Sequence, residues 1–148
     1  MPYTRLDAAQ TLAQAFALLE SVRFALVITV STDGREPRCR LMTPVPHQGS
    51  IWFRTRRGSG KIRQLRERPS AAVIAERDGY VAMASFRGLV EVIDEAGLLR
   101  EPQAPARLAA TFEEELGTQR YLLKLVPRHV RYVDHAARCK GEAHLAAP

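Results

Sequence analysis

The sequence predicts a mainly β protein, a barrel or sandwich of short antiparallel strands with a few flanking helices. Six or seven apolar, β-branched runs follow one another closely between residues 24 and 133. Turn signals such as Asp33-Gly34 and Asp78-Gly79 punctuate them. The first three runs have no helical stretch between them, which disfavours a doubly wound parallel sheet, where each strand needs a crossover helix.

Residues 7–21 read as a helix, because Asp7 and Gln10 have capping-box spacing and Leu12, Phe16 and Leu19 recur on one face. Residues 24–30 are expected as a central strand, which Asp33-Gly34 turns into a return strand over 37–45. There Arg38, Arg40 and Met42 alternate with Cys39, Leu41 and Thr43. Pro44 and Pro46 end the strand, since neither donates to a ladder. A turn at 47–50 leads to a third strand, 51–55, which holds Trp52. A break over 56–60 precedes a short helix, 61–67, that Pro69 stops. Residues 71–75 are a fourth strand and Arg77-Asp78-Gly79 a turn. The run 80–93 is too long for one flat strand, and Gly88 marks a bend or bulge in it. Helical stretches are expected at 95–100 and 106–116. Two last strands, 121–126 and 129–133, are separated by Pro127, and the ends, 1–6 and 136–148, are expected to be loose.

The 148 residues fit one domain, 1–148, with enough core to need no metal or disulfide staple. No apolar run approaches the about 20 residues of a bilayer span. The N-terminus lacks the basic-then-apolar order of a signal peptide, so a cytoplasmic location and no membrane partner are expected. Cys39 and Cys139 have neither disulfide-framework nor zinc spacing. The histidines, at 47, 129, 135 and 144, show no ligand spacing and are expected at the surface, without a metal. Glu113, Glu114 and Glu115 are consecutive on a predicted helix, so they point apart and read as solvated. No nucleophile elbow is present.

The net charge of +6 belongs to one segment. Residues 54–68 hold seven Lys/Arg and one Glu, and the rest of the chain balances. A single anion-attracting locus follows, for a phosphate or a nucleic acid. Nucleic acid is disfavoured, because aromatics are sparse around the cluster beyond Trp52 and Phe53 and no recognition motif appears. Within the segment, the stretch from Trp52 to Lys61 runs from a strand through Gly58-Ser59-Gly60 into a helix N-terminus. Free amides and the positive end of the helix dipole make that an anion site. It is not a Walker A loop: Thr55 stands where the first glycine belongs and Ile62 where a hydroxyl should meet Mg²⁺. Arg40, a lone cation amid Leu41-Met42-Thr43-Pro44-Val45, needs an anionic partner if it faces inward.

Arg40 to Val45, then Arg54-Thr55 and Ser59-Gly60-Lys61, resemble the FMN-binding split β-barrel family of pyridoxamine 5′-phosphate oxidases and general-stress flavin proteins. The resemblance covers about residues 10–133 and implies a split barrel holding FMN at a homodimer interface. It also implies that Arg40 grips the flavin phosphate and that Leu41, Met42 and Thr43 lie along the isoalloxazine edge. By the same resemblance, Arg54 and Thr55 are expected to contact the ring and ribityl chain, and Ser59, Gly60 and Lys61 to stand in the phosphate loop. The family implies an oxidoreductase working with a small-molecule electron donor and acceptor; a flavin-holding stress or redox protein without catalysis is the non-enzymatic alternative. The deazaflavin F420 or haem are the alternative occupants, and haem would need an axial ligand.

Departures from the vitamin-B6 oxidases are specific. Gly60 replaces a second phosphate-loop arginine and Val45 replaces the lysine for the substrate phosphate. Val133 replaces a tryptophan, and only Arg138-Cys139-Lys140 stands where an Arg-x-His signature belongs. Flavin binding is therefore expected and pyridoxine phosphate oxidation is not.

Overall fold

Asp7 opens the first helix as its spacing predicts. Its carboxylate accepts from the Gln10 amide at 2.8 Å, and the Gln10 side chain accepts from the Asp7 amide at 2.9 Å. In the computed structural model, which describes residues 1–56, 59–94, 104–106, 108 and 120–146, this helix is α1 (Ala8–Ser21). It buries Thr11, Ala15, Leu18 and Leu19, with Leu12 and Phe16 at the margin of that face.

The strands are β1 (Thr4–Leu6), β2 (Ala25–Val30), β3 (Pro37–Met42), β4 (Val45–His47), β5 (Ser50–Arg56), β6 (Ser70–Arg77), β7 (Ala82–Ile93), β8 (Arg120–Asp134) and β9 (Cys139–His144). A second helix, α2 (Gly60–Glu67), joins β5 to β6. The strands run β1-β9-β8-β7-β6-β2-β3, and β5 pairs with β8 and with β4. All pairs are antiparallel except β1 with β9.

β8 organises the barrel. One edge pairs with β7 along its length, while the other pairs with β5 over 120–125 and with β9 over 129–134. β3 and β5 are not hydrogen-bonded to each other, and the barrel is split between them. The core inside it joins Ala25 and Val27 of β2, Phe53 of β5, Val73 of β6, Phe86 of β7 and Leu123 of β8 to α1. A smaller cluster around Trp52, Val45, Ile93, Leu108 and Leu122 lies apart from it.

Several boundaries correct the sequence reading. The return strand ends at Met42, and Val45–His47 forms a separate edge strand. Pro46 is tolerated there because an edge position needs no amide donor on its open side. Pro127 does not end a strand either. Opposite it, the β7–β8 register shifts between Arg87 and Gly88, so Arg128 is an extra residue and β8 continues. Gly88 is required at that bulge: a Cβ there would come within 2.0 Å of the Val126 carbonyl oxygen.

Among the described residues, the ends expected to be loose are strands over Thr4–Leu6 and Cys139–His144. Cys139–His144 pairs along β8, and Thr4–Leu6 adds to its far side. Cys139 is accordingly half-buried, and burial pushes its thiol up. The helices expected at 95–100 and 106–116 fall largely outside the described residues. Among those described, no helix is long and apolar enough to cross a membrane.

Candidate functional site

The split between β3 and β5 opens a cleft of about 650 Å³, closed at one end by the start of α2. Seven of the nine predicted residues line it: Leu41, Met42, Thr43, Arg54, Thr55, Ser59 and Lys61. Arg40 and Gly60 do not line it directly. Phe24, Val45, Arg56 and Leu108 line it too, although the motif did not include them as site residues. Phe24, half exposed at the entry to β2, and Leu41, 69% exposed on β3, are its apolar wall.

Local chemistry explains how α2 presents its first turn. Ser59 is the N-cap, with extended backbone, and its hydroxyl accepts from the Lys61 amide at 3.2 Å. Ile62 and Leu65 bury the inner face of the helix, and Gln64 accepts from the Thr29 hydroxyl at 3.0 Å, tying α2 to β2. Among the described residues nothing packs where a Gly60 side chain would stand, so the start of the helix is uncovered there.

The structure sorts the basic segment. Arg63 pairs with Glu67 at 3.7 Å, Arg66 lies over the Tyr121 ring at 5.5 Å, and Arg68 reaches the Thr32 carbonyl at 3.4 Å. Arg54, Arg56 and Lys61 remain for the cleft. Arg57 lies outside the described residues. No aspartate, glutamate, histidine or cysteine is among the described residues that line it.

Arg40 sits on the inward face of β3, opposite buried Val27, and is half-buried. It lies close enough to Lys61 for the two charges to interact. Burial first, then the Arg40 charge, holds the Lys61 ammonium below the usual lysine range. Burial and neighbouring Arg38 lower Arg40 likewise. Among the described residues neither has a carboxylate partner. Two adjacent half-buried cations without a counter-ion repel each other, and an anion between them would relieve both.

A second groove, about 590 Å³, lies on β1, β9, β8 and β7, far along the sheet. Its cations are partly engaged: Arg131 reaches Glu142 at 3.1 Å, and Lys140 lies over the Tyr3 ring at 5.5 Å. The histidine expectation needs one correction here. His135 and His144 are exposed, but the His129 side chain is 13% exposed and the β8–β9 register brings it against His144.

A split barrel with a cationic cleft, carboxylate-free among the described residues, is the class of fold the chain adopts. Within it, the chain belongs to the pyridoxamine 5′-phosphate oxidase family, whose model matches residues 11–134. No curated protein sequence matches it significantly. Similar solved structures include a protein from Clostridium acetobutylicum related to general stress protein 26, of the pyridoxinephosphate oxidase family. It is 16% identical, with 95% of this chain and 97% of that one covered and a TM-score of 0.71. A pyridoxamine 5′-phosphate oxidase-related, FMN binding protein from Nostoc punctiforme is 17% identical, covering 88% and 85%, with a TM-score of 0.67. A heme binding protein from Mycobacterium smegmatis (18% identity, 95% and 59% covered, TM-score 0.70) and an F420 reductase (20%, 77% and 93%, 0.57) share the fold.

Proposed function

We propose that this chain is an oxidoreductase that holds FMN noncovalently at the split, between β3, β5 and the start of α2. The observation that carries this is the pair Arg40 and Lys61: neighbouring, half-buried and, among the described residues, without a carboxylate partner. A phosphate dianion is the group such a pair fits. Arg40 and Lys61 would hold it, with the Ser59 hydroxyl and the first amides of α2 as further donors. Leu41, Met42 and Thr43 on one side and Arg54 and Thr55 on the other would flank the ring and its chain.

Bound FMN supplies hydride or electron transfer, so the protein needs no acid–base pair of its own. The described lining residues, which include no carboxylate or histidine, are compatible with that division of labour. Val45, buried and apolar at the cleft, offers nothing to a substrate phosphate, which argues against pyridoxine phosphate as substrate. The electron donor and acceptor are small molecules. Two free cysteines fit a reducing cytoplasm.

The working unit is a homodimer. Outward-facing Leu26 and Ile28 of β2 and Ile74 of β6 are half-buried, and Leu41 beside them is exposed. A central strand apolar on both faces fits a sheet covered on both sides, and a second copy is the cover this reading assigns. Cation surplus supports one second reading: Arg54 and Arg56 exceed what a single phosphate needs, and the anionic tail of F420 would use them. Haem lacks such support, since no histidine or cysteine is among the described lining residues.

The test is a binding titration with FMN, riboflavin and F420. Losing the phosphate contacts should make riboflavin weaker than FMN by about 100-fold or more, at roughly 1.5–3 kcal/mol for each charged contact. Equal affinity for riboflavin and FMN contradicts the phosphate grip, and tight binding of F420 alone moves the second reading to the front.

A further inference from the structure

The β8–β9 hairpin turns at 135–138, so its register sets His129 directly opposite His144 and Arg131 opposite Glu142. Gly141 and Ala143 point into the core, which leaves Glu142 and His144 on the outer face beside His129. The two imidazoles stack, with centroids 4.5 Å apart and planes tilted by 32°. Glu142 Oε2 lies 3.3 Å from His129 Nε2 and 3.7 Å from His144 Nε2. One ligand atom from each residue lies within 4.8 Å of the others.

We propose that His129, Glu142 and His144 bind one divalent ion of the zinc class, with water completing its coordination. Two imidazole nitrogens and one carboxylate oxygen are the ligand set such ions take. Three ligands on two hydrogen-bonded strands need only side-chain adjustment to converge. The site shares no residue with the cleft, so it does not rest on the flavin reading.

Arg87 is the competitor. It stands opposite His129 on β7, with Nε and Nη2 at 3.2 and 2.5 Å from His129 Nδ1. A guanidinium only donates, so Nδ1 accepts and the ring proton sits on Nε2, facing Glu142. A metal on Nε2 moves that proton to Nδ1, and Arg87 must then withdraw. Its side chain is exposed and free to turn into solvent. Arg131, at 3.1 Å from Glu142 Oε1, leaves Oε2 for the ion.

The experiment is a zinc titration of tag-free Cys39→Ser/Cys139→Ser protein against a chromophoric chelator, which removes thiol binding as a source. One ion per protomer is expected. His129→Ala and His144→Ala should each weaken binding at least about tenfold. Arg87→Gln should tighten it by about tenfold, because the amide oxygen can accept the Nδ1–H that a metal-bound histidine presents. His144 is 77% exposed, so its variant tests the ligand without threatening the fold. Unchanged affinity in the His129→Ala/His144→Ala double variant, no zinc uptake by the parent, or weaker binding by Arg87→Gln would each overturn the proposal.

Discussion

Removing Arg40 and Lys61 together separates a ligand-holding role from a structural one. In the ligand-free protein the two cations repel; burial first and then the Arg40 charge hold Lys61 below its ordinary range, while burial first and then Arg38 hold Arg40 below its own. Arg40→Ala/Lys61→Ala therefore removes a strain, and the apo protein should be as stable as the parent or slightly more so. With a phosphate present the sign reverses. Each charge-assisted contact contributes roughly 1.5–3 kcal/mol, and partial exposure places these toward the lower end. The pair then amounts to about 3 kcal/mol or more, which is about two decades in Kd. Single variants should lose at least half of this each, because removing one cation also removes the repulsion that phosphate binding relieves in the parent. Flavin fluorescence titration and thermal unfolding with and without FMN read both effects. An unchanged FMN Kd, or a double variant that unfolds well below the parent without ligand, refutes the reasoning.

Three further outcomes test the frame around the site. Gly88→Ala puts a methyl against the Val126 carbonyl and should cost about 3 kcal/mol, lowering Tm by roughly 6–12 °C in a calorimetric scan. A chain truncated after Ala137 loses β9, strips the 129–134 edge of β8 and uncovers part of α1, and should be insoluble on expression. Asp134 is held below the usual carboxylate range, chiefly by the Ala137 amide at 2.8 Å, with Tyr132 and Arg77 adding to it. A depressed folded value means its contribution is present above the unfolded carboxylate range and is lost as pH falls through the folded value. Asp134→Asn should thus lower Tm at neutral pH and converge with the parent under acid.

Much of the fold was legible because local chemistry and tertiary context agree. The capping box at Asp7, the turns at Gly34 and Gly79, and Gly88 at its bulge all act where their spacing places them. The cleft was legible because charge and glycine content concentrate there. β9 was not, since Lys140-Gly141-Glu142-Ala143 has little β propensity. Its period-two alternation of small and charged residues was the available signal: the small ones fit under α1, where a Cβ on Gly141 would reach Thr11. Pro127 looked like a terminator because a bulge is a property of two strands, and one strand's sequence does not display it. His129 and His144 lie far apart in sequence and meet only through the hairpin register. Phe24, as an exposed aromatic before a strand, could have been flagged for the cleft wall.

The central claim is that the cleft between β3, β5 and α2 holds FMN. The absorption spectrum of the purified protein, with mass spectrometry of what acid or heat releases, tests it most directly. One FMN per protomer, lost in the Arg40→Ala/Lys61→Ala protein, is the expected result. A colourless preparation that also fails to take up added FMN contradicts the account.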